Sequence, residues 1–214
     1  MVNTLYTIAF MATFAVFASA ATNYCNLEVC KGPNHTVCKY GFLRVNHNQC
    51  RNVRTTTLTQ SEIQEILNLH NYYRGRVARG LEHRGVAGPQ PASWDRELAN
   101  VAQTWANQCL PGHDQCRHSA RFNVGQNAGF SSSNRDYTAK FTDIVTGWYD
   151  EVQYFNRNQV KSVVVHYTQM LWAETTLVGC GGVRYEDGEW FKTRLVCNYG
   201  PAGNWYGEEM YKTR

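Results

Sequence analysis

Residues 178–199 read VGCGGVRYEDGEWFKTRLVCNY, and this stretch decides the architecture. Val178 to Tyr185 and Trp190 to Tyr199 are strand-like, separated by Glu186-Asp187-Gly188-Glu189. Asp-Gly is a strong hairpin signal because tight two-residue turns need positive φ at their centre. A loop at Asp187-Gly188 puts Cys180 opposite Leu195, two residues from Cys197. A Cys180–Cys197 disulfide across the hairpin is the one pairing that this local pattern supports on its own.

Outward from the hairpin, the sequence turns helical. Thr59-x-x-Glu62 is a capping box, with Leu58 and Ile63 spaced as its hydrophobic staple. Ile63, Ile66, Leu67, His70 and Val77 follow at helical spacing, Gly80 is a terminator, and His70 falls on the apolar face. Gly85 to Pro91 is a loop. A second helix starts near Asp95, a capping residue, and buries Leu98, Val101, Ala102, Trp105 and Cys109. A third, from about Tyr137, aligns Phe141, Ile144, Val145, Trp148 and Val152 on one face, and Val124 to Phe130 can form a short strand between them. With no internal repeat, helices and an antiparallel sheet share one α+β domain.

The N-terminal part differs. Met1 to Ala20 has no charged side chain, an apolar run from Ile8 to Ala18, and the small-x-small ending Ala18-Ser19-Ala20. It reads as a secretory signal peptide, too short for a membrane span. Thr22 to Thr57 carries four cysteines, Gly32-Pro33 and little periodicity, so it reads as a loop-rich, disulfide-pinned extension. The expected organisation is a signal peptide at 1–20, the extension at 21–57 and the main domain at 58–214. All eight cysteines (Cys25, Cys30, Cys38, Cys50, Cys109, Cys116, Cys180 and Cys197) lie beyond the cleavage point. In the oxidising secretory route an even count favours four disulfides, and no Cys-x-x-Cys pair points to metal. Asn34-His35-Thr36 is a glycosylation sequon.

The net charge of +4 is modest, and Lys and Arg are spread along the chain. No basic stripe with interleaved aromatics marks a nucleic-acid partner, while weak attraction to anionic membranes stays open. The sequence lacks a Gly-x-Ser-x-Gly elbow, His-Glu-x-x-His, a P-loop and a dinucleotide fingerprint. What remains are His118-Ser119, Glu151 beside Trp148-Tyr149-Asp150, and His166-Tyr167-Thr168-Gln169. Taken singly, each is more often a structural than a functional residue.

Two longer motifs carry a resemblance. His166-Tyr167-Thr168-Gln169-Met170-Leu171-Trp172 resembles the first signature of the CAP superfamily, and Cys197-Asn198-Tyr199-Gly200-Pro201-Ala202-Gly203-Asn204 the second. Asn23-Tyr24-Cys25, Cys38-Lys39-Tyr40-Gly41, Gly88-Pro89-Gln90-Pro91, Trp105-Ala106-Asn107-Gln108-Cys109 and Val124-Gly125-Gln126-Asn127 are similar to the insect antigen 5 (venom allergen) branch. The resemblance implies a three-layer α-β-α sandwich with a central antiparallel sheet and an open cavity. It places His118, Gln126, Glu151 and His166 around that cavity and makes His118 and His166 the metal pair. It also implies the pairs Cys25–Cys38, Cys30–Cys116, Cys50–Cys109 and Cys180–Cys197. Gln126 stands where many relatives have an acid, and an amide cannot serve as a general base. Val165 replaces the usual Gly before His166, Arg194 replaces an apolar residue, and the stretch from Pro91 to Trp94 is short.

Three functions compete. The first is a secreted, non-enzymatic venom or salivary protein that binds an extracellular host target, requires no cofactor, and meets host IgE as an allergen. The second is a lipid or sterol carrier with a groove lined by Ile, Val and aromatic residues of the third helix. The third is a zinc-dependent hydrolase using His118, Glu151 and His166, with water in the open position. Integrin capture through Arg-Gly-Asp is excluded, because each Arg-Gly is followed by Arg76, Leu81 or Val86.

Overall fold

The computed structural model describes residues 22–82, 85–87, 90–155 and 164–213. The expected signal peptide lies outside them. The long hairpin is β5 (Leu177–Asp187) and β6 (Trp190–Gly200), flanked by β4 (Gly125–Ser133) on one side and β1 (Arg51–Thr55) on the other, in the order β1-β5-β6-β4. β3 (Ser93–Trp94) adds in parallel to the start of β5. β2 (Gly85–Ala87) pairs with β7 (Lys212–Thr213) in a separate ribbon.

The hairpin loop is Gly188-Glu189 rather than Asp187-Gly188, since Asp187 pairs with Trp190. Gly188, at φ +62°, supplies the positive φ from the first central position. This one-residue shift puts Cys180 directly opposite Cys197, Cα atoms 4.0 Å apart, and they are bridged. The other disulfides are Cys25–Cys38, Cys30–Cys116 and Cys50–Cys109.

Alternation along β5 and β6 builds two cores. Val178, Cys180, Leu195, Cys197 and Tyr199 face α2 (Gln60–Ala78), α4 (Phe141–Asp150) and α5 (Val165–Met170). Val183, Tyr185 and Val196 pack with Ala102, Trp105 and Ala106 of α3 (Arg96–Ala106). α3 lies so close that a Cβ on Gly179 would stand 2.3 Å from the Ala99 amide, and one on Gly181 2.2 Å from Gln103 Cα. Only glycine allows that approach.

The helix starts follow local chemistry. Thr59 and Glu62 form the capping box of α2, and Asp95 accepts from the Leu98 amide at the start of α3. α4 begins at Phe141, four residues later than its apolar spacing predicts, because Asp143 caps the Lys140 amide. The extension is more regular than its sequence suggests. It forms α1 (Thr36–Tyr40) and contributes β1 to the main sheet.

Two buried polar groups of α2 fix the layer that carries α5. Arg74 is 1% exposed, and no carboxylate is among its hydrogen-bond partners. Its Nη1 donates to the carbonyls of Met170 (2.8 Å) and Trp172 (3.1 Å), Nη2 to Thr175 (2.6 Å) and Nε to Gln90 (2.8 Å). Burial pulls its pKa down to about 10, leaving it charged at neutral pH. His70, equally buried, donates from Nδ1 to the Ile66 carbonyl at 2.8 Å. Its Nε2 therefore accepts from the Tyr199 hydroxyl at 2.9 Å, and burial lowers its pKa to about 4.

Arg74→Lys loses the planar fork that spans several carbonyls and is expected to cost at least about 3 kcal/mol in denaturant unfolding; a loss under about 1 kcal/mol would contradict this role. Since the folded pKa of His70 is depressed, its contribution is complete above pH 6.5 and is lost as pH falls toward 4. Stability is expected to drop by roughly 3 kcal/mol over that window. A His70→Gln variant should be less stable at pH 7 and flatter in its pH profile, and an equally steep acid limb in the variant would refute the assignment.

Candidate functional site

α5 is six residues long, too short to persist without tertiary support. Its first turn leaves backbone amides unpaired, and a carboxylate fills that need. Glu151, in the 3-10 turn after α4, accepts from the amides of His166 (3.0 Å) and Tyr167 (3.1 Å) through Oε2. Its Oε1 accepts from His166 Nδ1 at 2.6 Å, and Trp148 stacks on the imidazole at 5.9 Å. With Nδ1 protonated, His166 turns an Nε2 lone pair outward, the tautomer suited to a metal ligand or a base. Asn127 donates to the His166 carbonyl at 3.0 Å and to the Tyr199 hydroxyl at 3.3 Å, joining the site to His70. Asn204 holds the Val165 carbonyl at 2.8 Å and accepts from Thr168 at 2.7 Å. Val165 occupies the first turn of α5 without positive φ, so glycine is not needed there.

His118 and Gln126 have partners of their own, separate from the Glu151–His166 pair. His118 Nδ1 accepts from the Val124 amide at 2.9 Å, and its carbonyl accepts from His35 Nε2 at 3.1 Å. Burial, then the nearby Arg117, hold the His118 pKa below the usual histidine value. A neutral ring whose Nδ1 accepts carries its proton on Nε2, opposite to the tautomer of His166. Gln126, on β4 opposite Asn198, accepts from His113 at 2.7 Å. Its Nε2 donates to Asp114 (3.1 Å) and Asn198 (3.0 Å). Asp114 is buried, salt-bridged to Arg117 and hydrogen-bonded to Thr36.

The four residues expected around the cavity thus divide into Glu151 with His166 and Gln126 with Asp114 and His113, while His118 is spent on the chain that leads into β4. Among the described residues no group of three or more His, Cys, Asp or Glu side chains is placed to hold a metal ion. The three-ligand zinc set of His118, Glu151 and His166 does not fit. His118 offers an N–H at Nε2, and both Glu151 oxygens are already used. Asp114 and His113 were missed in the sequence because they lie in an aperiodic loop, where only Arg117 three residues on hints at a salt bridge.

The expected lipid groove also changes. Ile144, Val145 and Trp148 are buried in the core. The opening between α2 and α4, about 510 Å³, is lined instead by Leu69, Tyr72, Thr142, Thr146, Glu65 and Asn68. Arg194, the departure in the second signature, is buried over Trp105 with its Nη2 on the Gly112 carbonyl at 3.1 Å. In the sequon, Asn34 Nδ2 donates to the carbonyls of Cys30 and Lys31, and the Thr36 hydroxyl is buried.

Comparison with known proteins places this geometry. The model of the CAP, or cysteine-rich secretory protein, family matches residues 67–199. Venom allergen 5 of Vespula pensylvanica is 46% identical over 206 residues, spanning 90% of this chain and 100% of that protein. Venom allergen 5 of Vespa magnifica is 40% identical over 220 residues, spanning 98% and 97%. Among solved structures, BmVAL-1 superposes with a TM-score of 0.64 at 27% identity, covering 77% of this chain and 87% of that one. The structure of NaASP2 with Zn2+ gives 0.60 at 24% identity, covering 80% and 91%, a likeness of fold. With the family model matching more than half of the chain and relatives of this identity aligned nearly end to end, the chain belongs to the CAP family of cysteine-rich secretory proteins.

Proposed function

We propose that this protein is a secreted, antigen 5-type component of insect venom or saliva that acts by binding and catalyses no reaction of its own. Its likeness to proteins named Venom allergen 5 supports the venom setting and makes host IgE a partner on exposure. On this reading residues 1–20 are removed on export, 21–57 form the pinned extension and 58–214 the CAP domain. Asn34 is then the glycan acceptor if one is used, and its sequon must be modified before Asn34 and Thr36 take up the contacts just described.

One observation carries the non-catalytic reading: every acid of the site is already committed. Glu151 accepts three hydrogen bonds, and Asp114 is neutralised by Arg117. General base catalysis needs a carboxylate or imidazole free to take a proton from a bound nucleophile. Among the described residues that leaves ring nitrogens, His166 Nε2 and His113 Nε2, and no carboxylate of the site to work with them. The carrier reading has a weaker basis, since four of the six residues that line the opening between α2 and α4 are Glu65, Asn68, Thr142 and Thr146.

The correctly oxidised protein is therefore expected to bind no stoichiometric zinc at micromolar concentration, and to hydrolyse ester and peptide substrates at the buffer rate, with or without zinc. Isothermal titration and elemental analysis of the parent, His118→Ala and His166→Ala proteins check this. Stoichiometric zinc lost in both variants, together with metal-dependent hydrolysis, would sink the proposal.

A further inference from the structure

Although Lys and Arg are spread along the chain, their excess is not. Residues 22–57 hold five of the 21 basic residues (Lys31, Lys39, Arg44, Arg51 and Arg54) but only Glu28 of the 17 acidic ones. That surplus of four equals the net charge of the whole protein. Such asymmetry marks a segment with an anionic partner.

The structure gathers part of this charge. Lys39, Arg44 and His47, all exposed, line one recess of about 380 Å³ with Tyr40 and Gln108, and no carboxylate lines it. Hydrogen bonds and a disulfide tie the recess to the end of α3. The Asn46 amide donates to the Asn107 carbonyl at 2.9 Å, Gln108 holds the Arg44 carbonyl at 3.0 Å, and Cys50 is bridged to Cys109. The first of these bonds also occupies the Asn107 carbonyl at the C-terminal end of α3, whose partial negative charge would otherwise oppose an anion.

A second observation concerns the turn between Lys39 and Arg44. Phe42 is 55% exposed and Leu43 38%. Leu43 sits at φ +56°, a conformation that leucine adopts at a cost. Its amide bonds to Thr104 Oγ1 and its carbonyl to Asn107 Nδ2, so α3 holds this backbone in place. Two apolar side chains are thus held in solvent between two cations.

We infer that this face of the extension docks onto an anionic phospholipid bilayer, with Lys39 and Arg44 at the headgroups and Phe42 and Leu43 in the interfacial layer. A soluble polyanion would use the cations but leave both apolar side chains in water. A bilayer takes both. The association is peripheral, since no described helix is long and apolar enough to cross a membrane.

Vesicle co-sedimentation of the oxidised protein tests this. Binding is expected to phosphatidylcholine vesicles containing about 30 mol% phosphatidylserine. Pure phosphatidylcholine vesicles should not bind, and about 0.5 M salt should release the protein. Lys39→Gln with Arg44→Gln should lower the partition coefficient about 30-fold. Phe42→Ser should lower it further without changing its salt dependence. All of these side chains are exposed, so a circular dichroism melt should match the parent. Equal partition onto both vesicle types, or serine-lipid binding unchanged in the variants, would overturn the inference. Retention on heparin without vesicle binding would also overturn it and assign the recess to a sulfated glycan.

Discussion

Arg74 is the interaction on which the rest of the molecule depends. A guanidinium buried without a carboxylate is tolerable only when most of its protons find acceptors, and here four backbone carbonyls provide them. Three of those carbonyls, from Met170, Trp172 and Thr175, trace the chain from the end of α5 toward β5. One side chain of α2 therefore fixes where α5 ends, and hence where its first turn meets Glu151. His70, one turn earlier on α2, fixes the other side through Tyr199 and Asn127 to the His166 carbonyl. The position of His166 is set by these buried groups together with the partly exposed Glu151.

That arrangement gives the two histidines of the family's site different surroundings. Metal ligation by paired imidazoles requires both rings to turn lone pairs toward one point, and second contacts choose the tautomer. Glu151 chooses the ligand form for His166, whereas the Val124 amide chooses the other form for His118. Gln126 completes the pattern, because its amide can accept from His113 and donate to Asp114 at once. A glutamate there would face the Asp114 carboxylate directly. The missing acid is better understood as a bridging amide than as a lost function.

What the sequence revealed follows the range of each interaction. The capping box at Thr59, the Asp95 cap and the hairpin depend on residues within a few positions, and they were legible. The hairpin loop was misplaced by one residue because Asp187-Gly188 and Gly188-Glu189 both supply a glycine for positive φ. β1 was hidden because Arg51-Asn52-Val53-Arg54-Thr55 is a polar edge strand with only Val53 to mark it. α5 is too short to show a period, so its weight came from the signature motif. Arg74 and Asp114 escaped notice because most of their partners are distant: the Met170 carbonyl lies 96 residues from Arg74 and Thr36 lies 78 from Asp114, with Arg117 the one near partner of Asp114.

The placement of β1 has a consequence for how the molecule can be divided. β5 has β6 on one side, while on the other β3 covers its first residues and β1 its last. A fragment starting at Leu58 would contain His118, Gln126, Glu151 and His166, yet the far end of β5 would present an open row of amides and carbonyls beside Tyr185. Unpaired edges of this kind template pairing between molecules. The cysteine-rich extension therefore covers an edge that would otherwise be open to another copy of the sheet, and hydrogen bonds run from β1 across the boundary expected at residue 57.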